Sequence, residues 1–390
     1  MTPFLQLLIL SALSLSTFAS EVRAGSVASP AHVDLSPITI ERLRTRTDKN
    51  STIDGPATFA KVRRSNCHKR ATNGNPKGSS YYSAVVAVGA SYTDNGHKRD
   101  SKYSSSLRDY HPYNSYGGKY TNGKVAVEWM VDSSISPSLP RGGALPTLQD
   151  YAYGGSVVQN GLSGTGANSP AAVDQISTYL ADLKSGSFSP GKGRVLHYFN
   201  SGINPVSQIW NNAMSSGFSS SAKANAVAAI SANIQAYSSS ISSIASDKKA
   251  QAKLAGSDYV IVGIPPLEIV PTFAHQVTSS VSKSDALAFL KQLSDQYNAG
   301  LKKITSSLQR QTSSSSRVFY YDLAKLWYSM NSSPSSYGIT ASPVTTACYN
   351  SSTGGVCSNP GNFLYWDTLH PTTSVMKVMA SGINKLVAGQ

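Results

Sequence analysis

Among the many serines of this 390-residue chain, Ser91 has a distinctive setting. It follows an unbroken apolar run, Val85-Val86-Ala87-Val88, and the small pair Gly89-Ala90. Far downstream, Asp367 and His370 lie three residues apart in Asp367-Thr368-Leu369-His370-Pro371. A serine hydroxyl becomes a nucleophile when an imidazole takes its proton and a carboxylate orients that imidazole. N–H donors must also meet the oxyanion that develops. The chain carries one candidate for each part, and two further loops offer polar groups. Gly155 closes Tyr151-Ala152-Tyr153-Gly154-Gly155, and Asn204 sits in Gly202-Ile203-Asn204-Pro205. Each residue also has a plainer use. Ser91 can form a turn, Gly155 can permit one, and Asp367 can cap the last helix with Pro371 near its first position.

These loops need a frame that brings them to one edge. Val85–Val88 has no polar alternation, as in a strand covered on both faces. Val195–Phe199, Tyr259–Ile264 and Val318–Tyr321 repeat that pattern, and Leu148–Gly155 reads as a short strand running into a glycine pair. Between them lie helical patterns. Ser169-Pro170 reads as a cap and first turn, followed by Val173, Ile176, Leu180 and Leu183 on one face. Longer faces run from Val227 to Ile244 and from Leu287 to Leu308, and a last helix covers about 372–387. Strands alternating with helices predict an α/β fold: three α/β/α layers around a doubly wound, mostly parallel, flavodoxin-like sheet. Open sheets of this kind place their sites at the carboxyl ends of the strands.

Charged residues make up only 14% of the chain, yet the net charge is +14. Lys and Arg are dispersed apart from a run near 61–70, which argues against a nucleic-acid partner. Residues 1–19 read as a signal peptide, with a Leu-rich core and Thr17-Phe18-Ala19 as a cleavage site. Residues 20–70 lack core periodicity and hold the dibasic pairs Arg63-Arg64 and Lys69-Arg70, so a pro-segment removed after Arg70 is expected. Its ten basic and five acidic residues, once lost, leave +9 on residues 71–390. Cleavage also removes Cys67 and leaves Cys348 and Cys357 to close a short loop as a disulfide. No later stretch is apolar enough to span a bilayer. Asn331 and Asn350 are N-glycosylation sequons, with Pro334 close behind the first. The remaining histidines show no metal-ligand spacing, and no metal or other cofactor is expected. His197 lies within a strand pattern and reads as a core residue, Asp94 as a turn residue or a support behind the site, and Tyr110, Tyr113, Tyr116 and Tyr120 as ordinary surface tyrosines or, less simply, a sugar-facing rim.

Gly89-Ala90-Ser91-Tyr92-Thr93 lacks the final glycine of the G-x-S-x-G elbow of α/β-hydrolases. The four blocks together resemble instead the SGNH hydrolases, the GDSL-type esterases. Their first block is typically GDS with a Ser/Tyr-x-Asp stretch, here Gly89-Ala90-Ser91-Tyr92-Thr93-Asp94. Gly155 matches the second block, Gly202-Ile203-Asn204-Pro205 the third, and Asp367–Pro371 the last. Tyr120-Thr121-Asn122-Gly123 and Ile264-Pro265-Pro266-Leu267 add support over a likeness spanning about 84–375. Ala90 and Pro205 depart from the pattern, each standing where the family has aspartate.

The resemblance implies roles. Ser91 would be the nucleophile, His370 the general base and then acid, and Asp367 the residue orienting it. The Ser91 and Gly155 N–H groups and the Asn204 amide would form the oxyanion hole. It also implies a secreted esterase, a monomer, acting on short acyl esters such as acetyl groups on plant-derived carbohydrate. A lipase or lysophospholipase is the alternative enzyme. A carbohydrate-binding protein on a catalytically dead scaffold is the alternative without chemistry.

Overall fold

The computed structural model describes residues 81–96, 119–163 and 169–389. The expected signal peptide, the pro-segment and its Arg70 boundary, Cys67, Tyr110, Tyr113 and Tyr116 lie outside the described residues.

In chain order the elements are β1 (Tyr82–Gly89), α1 (Ala126–Met130), β2 (Thr147–Asp150), α2 (Ala172–Ser185), β3 (Arg194–Asn200), α3 (Ile203–Ser215), α4 (Ser220–Ser246) and α5 (Lys248–Gln251). They continue with β4 (Ser257–Val262), α6 (Pro271–Gln276), α7 (Lys283–Gln311), β5 (Val318–Tyr321), α8 (Leu323–Ser332), β6 (Tyr349–Asn350), β7 (Gly355–Val356) and α9 (Thr373–Ala388). The first five strands form one parallel sheet in the order β2-β1-β3-β4-β5. Every residue of β3 and β4 is buried, whereas β5 is half-buried along its length. The run Val318–Tyr321, read as a strand covered on both faces, is instead the edge strand β5, so an unbroken apolar run does not by itself mark the centre of the sheet.

Helices α2, α3, α4 and α7 pack among themselves, while α1 packs on α9, giving the outer layers of a three-layer α/β/α fold. The long pair α4 and α7 approach closely at Gly300, where a Cβ would come within 2.6 Å of the Ile234 side chain. Helix α2 begins later than expected. Its N-cap is Ala171, whose N–H is met by the Asp174 carboxylate at 3.0 Å, and not Ser169. The Pro170 carbonyl that a first turn would have used accepts instead from Ser156 and Gln175. Pro371 likewise precedes α9, whose N-cap is Thr372, so Asp367 does not cap that helix. β2 stops at Asp150, because its carboxylate accepts from the Ala152 N–H at 2.9 Å and turns the chain before the glycine pair.

At the amino edge of the sheet, Asp258 is wholly buried. It accepts from Tyr82 Oη at 2.6 Å, from Arg194 at 2.5 and 3.2 Å, and from the Arg317 amide at 2.8 Å and guanidinium at 3.1 Å. Burial alone would raise the Asp258 carboxyl, but these donors outweigh it and hold the group below its ordinary range. Behind this cluster, His197 stacks on Tyr259 with ring centres 4.9 Å apart and shares a 2.8 Å hydrogen bond with Tyr179. It is the core residue that its place in β3 indicated.

Candidate active site

The turn at Ser91 is built by small residues and backbone. β1 ends at Gly89, and the Ala90 carbonyl accepts from the Thr93 and Asp94 N–H groups, each at 2.9 Å. A Cβ on Gly89 would lie 2.6 Å from Thr93 Oγ1 and 2.7 Å from the Asn200 carbonyl, so only glycine lets the turn fold back between β1 and β3. Strand order 2-1-3-4-5 reverses direction between these two strands, where such sheets open a crevice. Ser91 follows one of them and Asn204 the other.

The late loop reaches Ser91 from α9's side. His370 Nε2 lies 2.8 Å from Ser91 Oγ, and His370 Nδ1 lies 2.8 Å from Asp367 Oδ2. A carboxylate on Nδ1 places the ring proton there and leaves Nε2 to accept the serine proton. Asp367 Oδ1 also accepts from the Leu369 and His370 backbone N–H groups, each at 2.7 Å. Burial by itself pushes the Asp367 carboxyl up. The facing His370 and these hydrogen bonds outweigh burial and hold it below the ordinary carboxylate range. Ser91, Asp367 and His370 are all under 10% exposed, so the chain of bonds runs through a region largely closed to solvent.

Several elements brace the histidine. Tyr92 donates to the Leu369 carbonyl at 2.7 Å, and its ring and that of Tyr120 flank the imidazole at 5.9 and 5.1 Å. Tyr120 therefore stands over the histidine, half-buried, and not on an outer rim. Thr121 donates to the Pro371 carbonyl at 2.8 Å, and Asn122 accepts from the Thr373 N–H at 2.8 Å. On the far side, the Trp366 N–H donates to the His370 carbonyl at 2.7 Å. The Cys348 and Tyr349 N–H groups donate to Tyr365 and Trp366, and the Tyr349 ring stacks on Trp366 at 5.5 Å. Cys348 and Cys357 are joined as a disulfide, as the cysteine count indicated, and close the β6–β7 hairpin behind this loop.

Gly155 adopts φ +76°, a left-handed conformation that side chains resist. Its neighbours are pinned on both sides. Gly154 N–H donates to Asp94 at 2.7 Å, and the Ser156 carbonyl accepts from Asn204 Nδ2 at 2.8 Å. Asn204 is the second residue of α3 and Pro205 the third. First-turn N–H groups have no acceptor within the helix, so proline costs no helical bond there. Of the two uses read for Asp94, the structure shows the supporting one. Its buried carboxylate links the Ser91 turn to the Gly154-Gly155 turn. Sequence reasoning missed Gln175, whose carboxamide sits between the same two turns. One polar residue on the buried face of α2 was the available signal.

Among the described residues there is no group of three or more His, Cys, Asp or Glu side chains arranged to hold a metal. No helix among them is long and apolar enough to cross a membrane.

The GDSL-like lipase/acylhydrolase family model matches residues 85–383, well over half of the chain. The chain belongs to this family. As a GDSL hydrolase it is a carboxylic ester hydrolase, and its parallel five-stranded sheet is the sheet of that fold. A GDSL esterase/lipase of Arabidopsis thaliana is 22% identical over 292 residues, covering 69% of this chain and 76% of the relative. Two solved structures are similar at 13% identity, each over 79% of this chain and 99% of the other. They are an extracellular lipase of Streptomyces rimosus, with a TM-score of 0.36, and a phospholipase A1 of Streptomyces albidoflavus, with a TM-score of 0.37.

Proposed function

We propose that this GDSL hydrolase is a secreted serine esterase that works through an acyl-enzyme on short-chain esters, above all acetyl groups on carbohydrate. The carrying observation is the continuous path from Ser91 Oγ to His370 Nε2 and from His370 Nδ1 to Asp367, each link 2.8 Å. Ser91 attacks the ester carbonyl as His370 takes its proton, and the carbonyl electron pair moves onto oxygen. The Ser91 and Gly155 N–H groups and the second N–H of the Asn204 amide meet that charge. The intermediate collapses by breaking the bond to the alkoxy group, which leaves with the proton from His370. Water then gives a proton to His370 and attacks the acyl-serine, releasing the acid and restoring Ser91.

Tyr120 supports a short acyl group, because its ring stands over His370 and its hydroxyl end lies against Gly154.

The leader is processed after Arg70, so amino-terminal sequencing of secreted protein should begin at Ala71. Asn350 is the glycosylated sequon: it is exposed and its Oδ1 accepts from the Ser352 N–H at 3.0 Å. Asn331 lies in α8 with its amide committed to the Trp327 carbonyl at 2.9 Å, and it stays unmodified. Nitrophenyl esters of graded chain length test the substrate reading. Turnover should be highest for acetyl, and a maximum at C8 or longer would replace this reading with a lipase.

A further inference from the structure

Gln175 is buried on α2 and is none of the groups that would touch substrate. Its carboxamide pairs with the Gly89 peptide as a neighbouring strand would. Oε1 accepts from the Gly89 N–H at 2.9 Å, and Nε2 donates to the Gly89 carbonyl at 3.0 Å. The same Nε2 lies 3.0 Å from Ser156 Oγ and from the Pro170 carbonyl, so its two hydrogens are shared among three acceptors. One side chain therefore ties the strand end two residues before Ser91 to the residue after Gly155. Ser156 carries the tie onward, since its carbonyl holds the Asn204 amide at 2.8 Å. Asp94 closes the circuit from the Ser91 turn to Gly154.

We propose that Gln175 is a positioning residue that fixes the Ser91, Gly155 and Asn204 oxyanion donors relative to one another. This rests on the reading of those three groups given above. Ala90 gives the inference its point. The carboxylate that the family's first block carries beside the serine is absent here. In this chain the polar groups that lock the turn come from α2 and from Asp94. Oxyanion donors act only when held where charge develops, so a loosened frame costs turnover and not ground-state binding.

Two variants of the full-length protein test this, assayed for nitrophenyl acetate turnover, fluorophosphonate labelling rate and melting midpoint. Gln175→Met keeps the length of the side chain and removes all four polar contacts. Ser156→Ala removes the Oγ contact and keeps the carbonyl that holds Asn204. We expect kcat to fall roughly a hundredfold for Gln175→Met and about tenfold for Ser156→Ala, with KM nearly constant. Labelling should fall by the same factors, because phosphonylation draws on the same donors. The pH profile should keep its position, since the Asp367–His370 pair is untouched. Should Gln175→Met fail to fold, Ser156→Ala with an unchanged melting midpoint decides alone. Full turnover and labelling in folded Ser156→Ala would overturn the proposal. So would losses in Gln175→Met that match its unfolded fraction. If Ser91→Ala retains activity, the nucleophile reading itself fails, whatever Gln175 does.

Discussion

The two edges of one sheet each bury a carboxylate among donors, and they use it for opposite ends. At the amino edge Asp258 faces Arg194, Arg317 and Tyr82. At the carboxyl edge Asp367 faces His370, which faces Ser91. In both places hydrogen bonds overcome the burial penalty and hold the carboxyl below its ordinary range. The difference lies in what the partner can do with a proton. A guanidinium keeps its protons in any protein, so the Asp258 cluster is a lock that joins the first residues of β1 and β3 and the residue before β5 to β4. An imidazole gives its proton up and takes it back, so the Asp367 chain ends in a hydroxyl that can be activated. A depressed carboxyl therefore marks a site only when a transferable proton lies next to it.

Exchanging one residue at each edge should separate the two uses most sharply. Ser91→Ala should lower ester turnover by at least about 10⁴-fold and abolish fluorophosphonate labelling, with a melting midpoint close to the parent's. Asp258→Ala should do the reverse. Two arginines and a tyrosine would lose their shared partner, at a cost of about 3–5 kcal/mol of stability, while the folded fraction keeps its turnover. Thermal melts and active-site titration on both variants check this. A stable Asp258→Ala protein would show that the amino edge is no lock.

The carboxyl edge can be probed one step out from the nucleophile. Asn204→Ala should lower kcat by about 10²–10³-fold and leave KM nearly unchanged, as expected for a donor used only in the transition state. Steady-state kinetics on nitrophenyl acetate make the comparison. A rise in KM alone would assign Asn204 to substrate binding.

Sequence exposed the carboxyl edge far better than the amino edge, and the reason is physical. Apolar strands reveal themselves as runs, and the loops after them carry residues with little structural excuse: a serine after Gly89-Ala90, a glycine pair, an Asp-x-x-His. The fold followed from the alternation of those runs with helical faces. Asp258 and Arg194 were hidden because each is a single polar residue at a strand start, where charge is ordinary, and their pairing spans 64 residues. Gln175 was hidden for the same reason. Its partners are backbone groups of Gly89 and Pro170 and one serine hydroxyl, Ser156, and these leave little trace in residue types. The start of α2 was misplaced at Ser169 because the Pro170 carbonyl serves tertiary contacts in place of a first turn, whereas α9 begins within a residue of where its pattern put it.

Between the edges, His197 gives a pH test that neither carboxylate can mimic. Burial pushes its pKa down to about 4, with the Asp258 carbonyl and charge offsetting only part of that. In the unfolded chain an ordinary histidine titrates near 6.5. Between these values the unfolded state binds a proton that the folded state refuses, so stability falls as pH drops from about 6.5 to 4. The loss approaches 3 kcal/mol, roughly 1.4 per unit. Asp258 and Asp367 add their own losses only below the ordinary carboxylate range, where the unfolded chain takes up their protons. Denaturant melts across pH 4 to 7 should show this slope, and His197→Gln should flatten it in that window.

The smallest expected effect concerns the brace that the carboxyl edge has and the amino-edge cluster lacks. The Cys348–Cys357 disulfide closes a hairpin whose backbone supports Tyr365 and Trp366, and Trp366 in turn donates to the His370 carbonyl. A loop this short restricts the unfolded chain by only about 2.5 kcal/mol on the chain-entropy estimate. Replacing both cysteines by serine should therefore lower stability by up to that amount. It should also lower kcat by no more than about tenfold, because the histidine keeps its bonds to Asp367 but loses some of its backing. Equal losses of kcat and stability from Arg317→Ala, at the other edge, would show that the brace serves the fold as a whole. A kcat loss confined to the cysteine variant would tie it to His370.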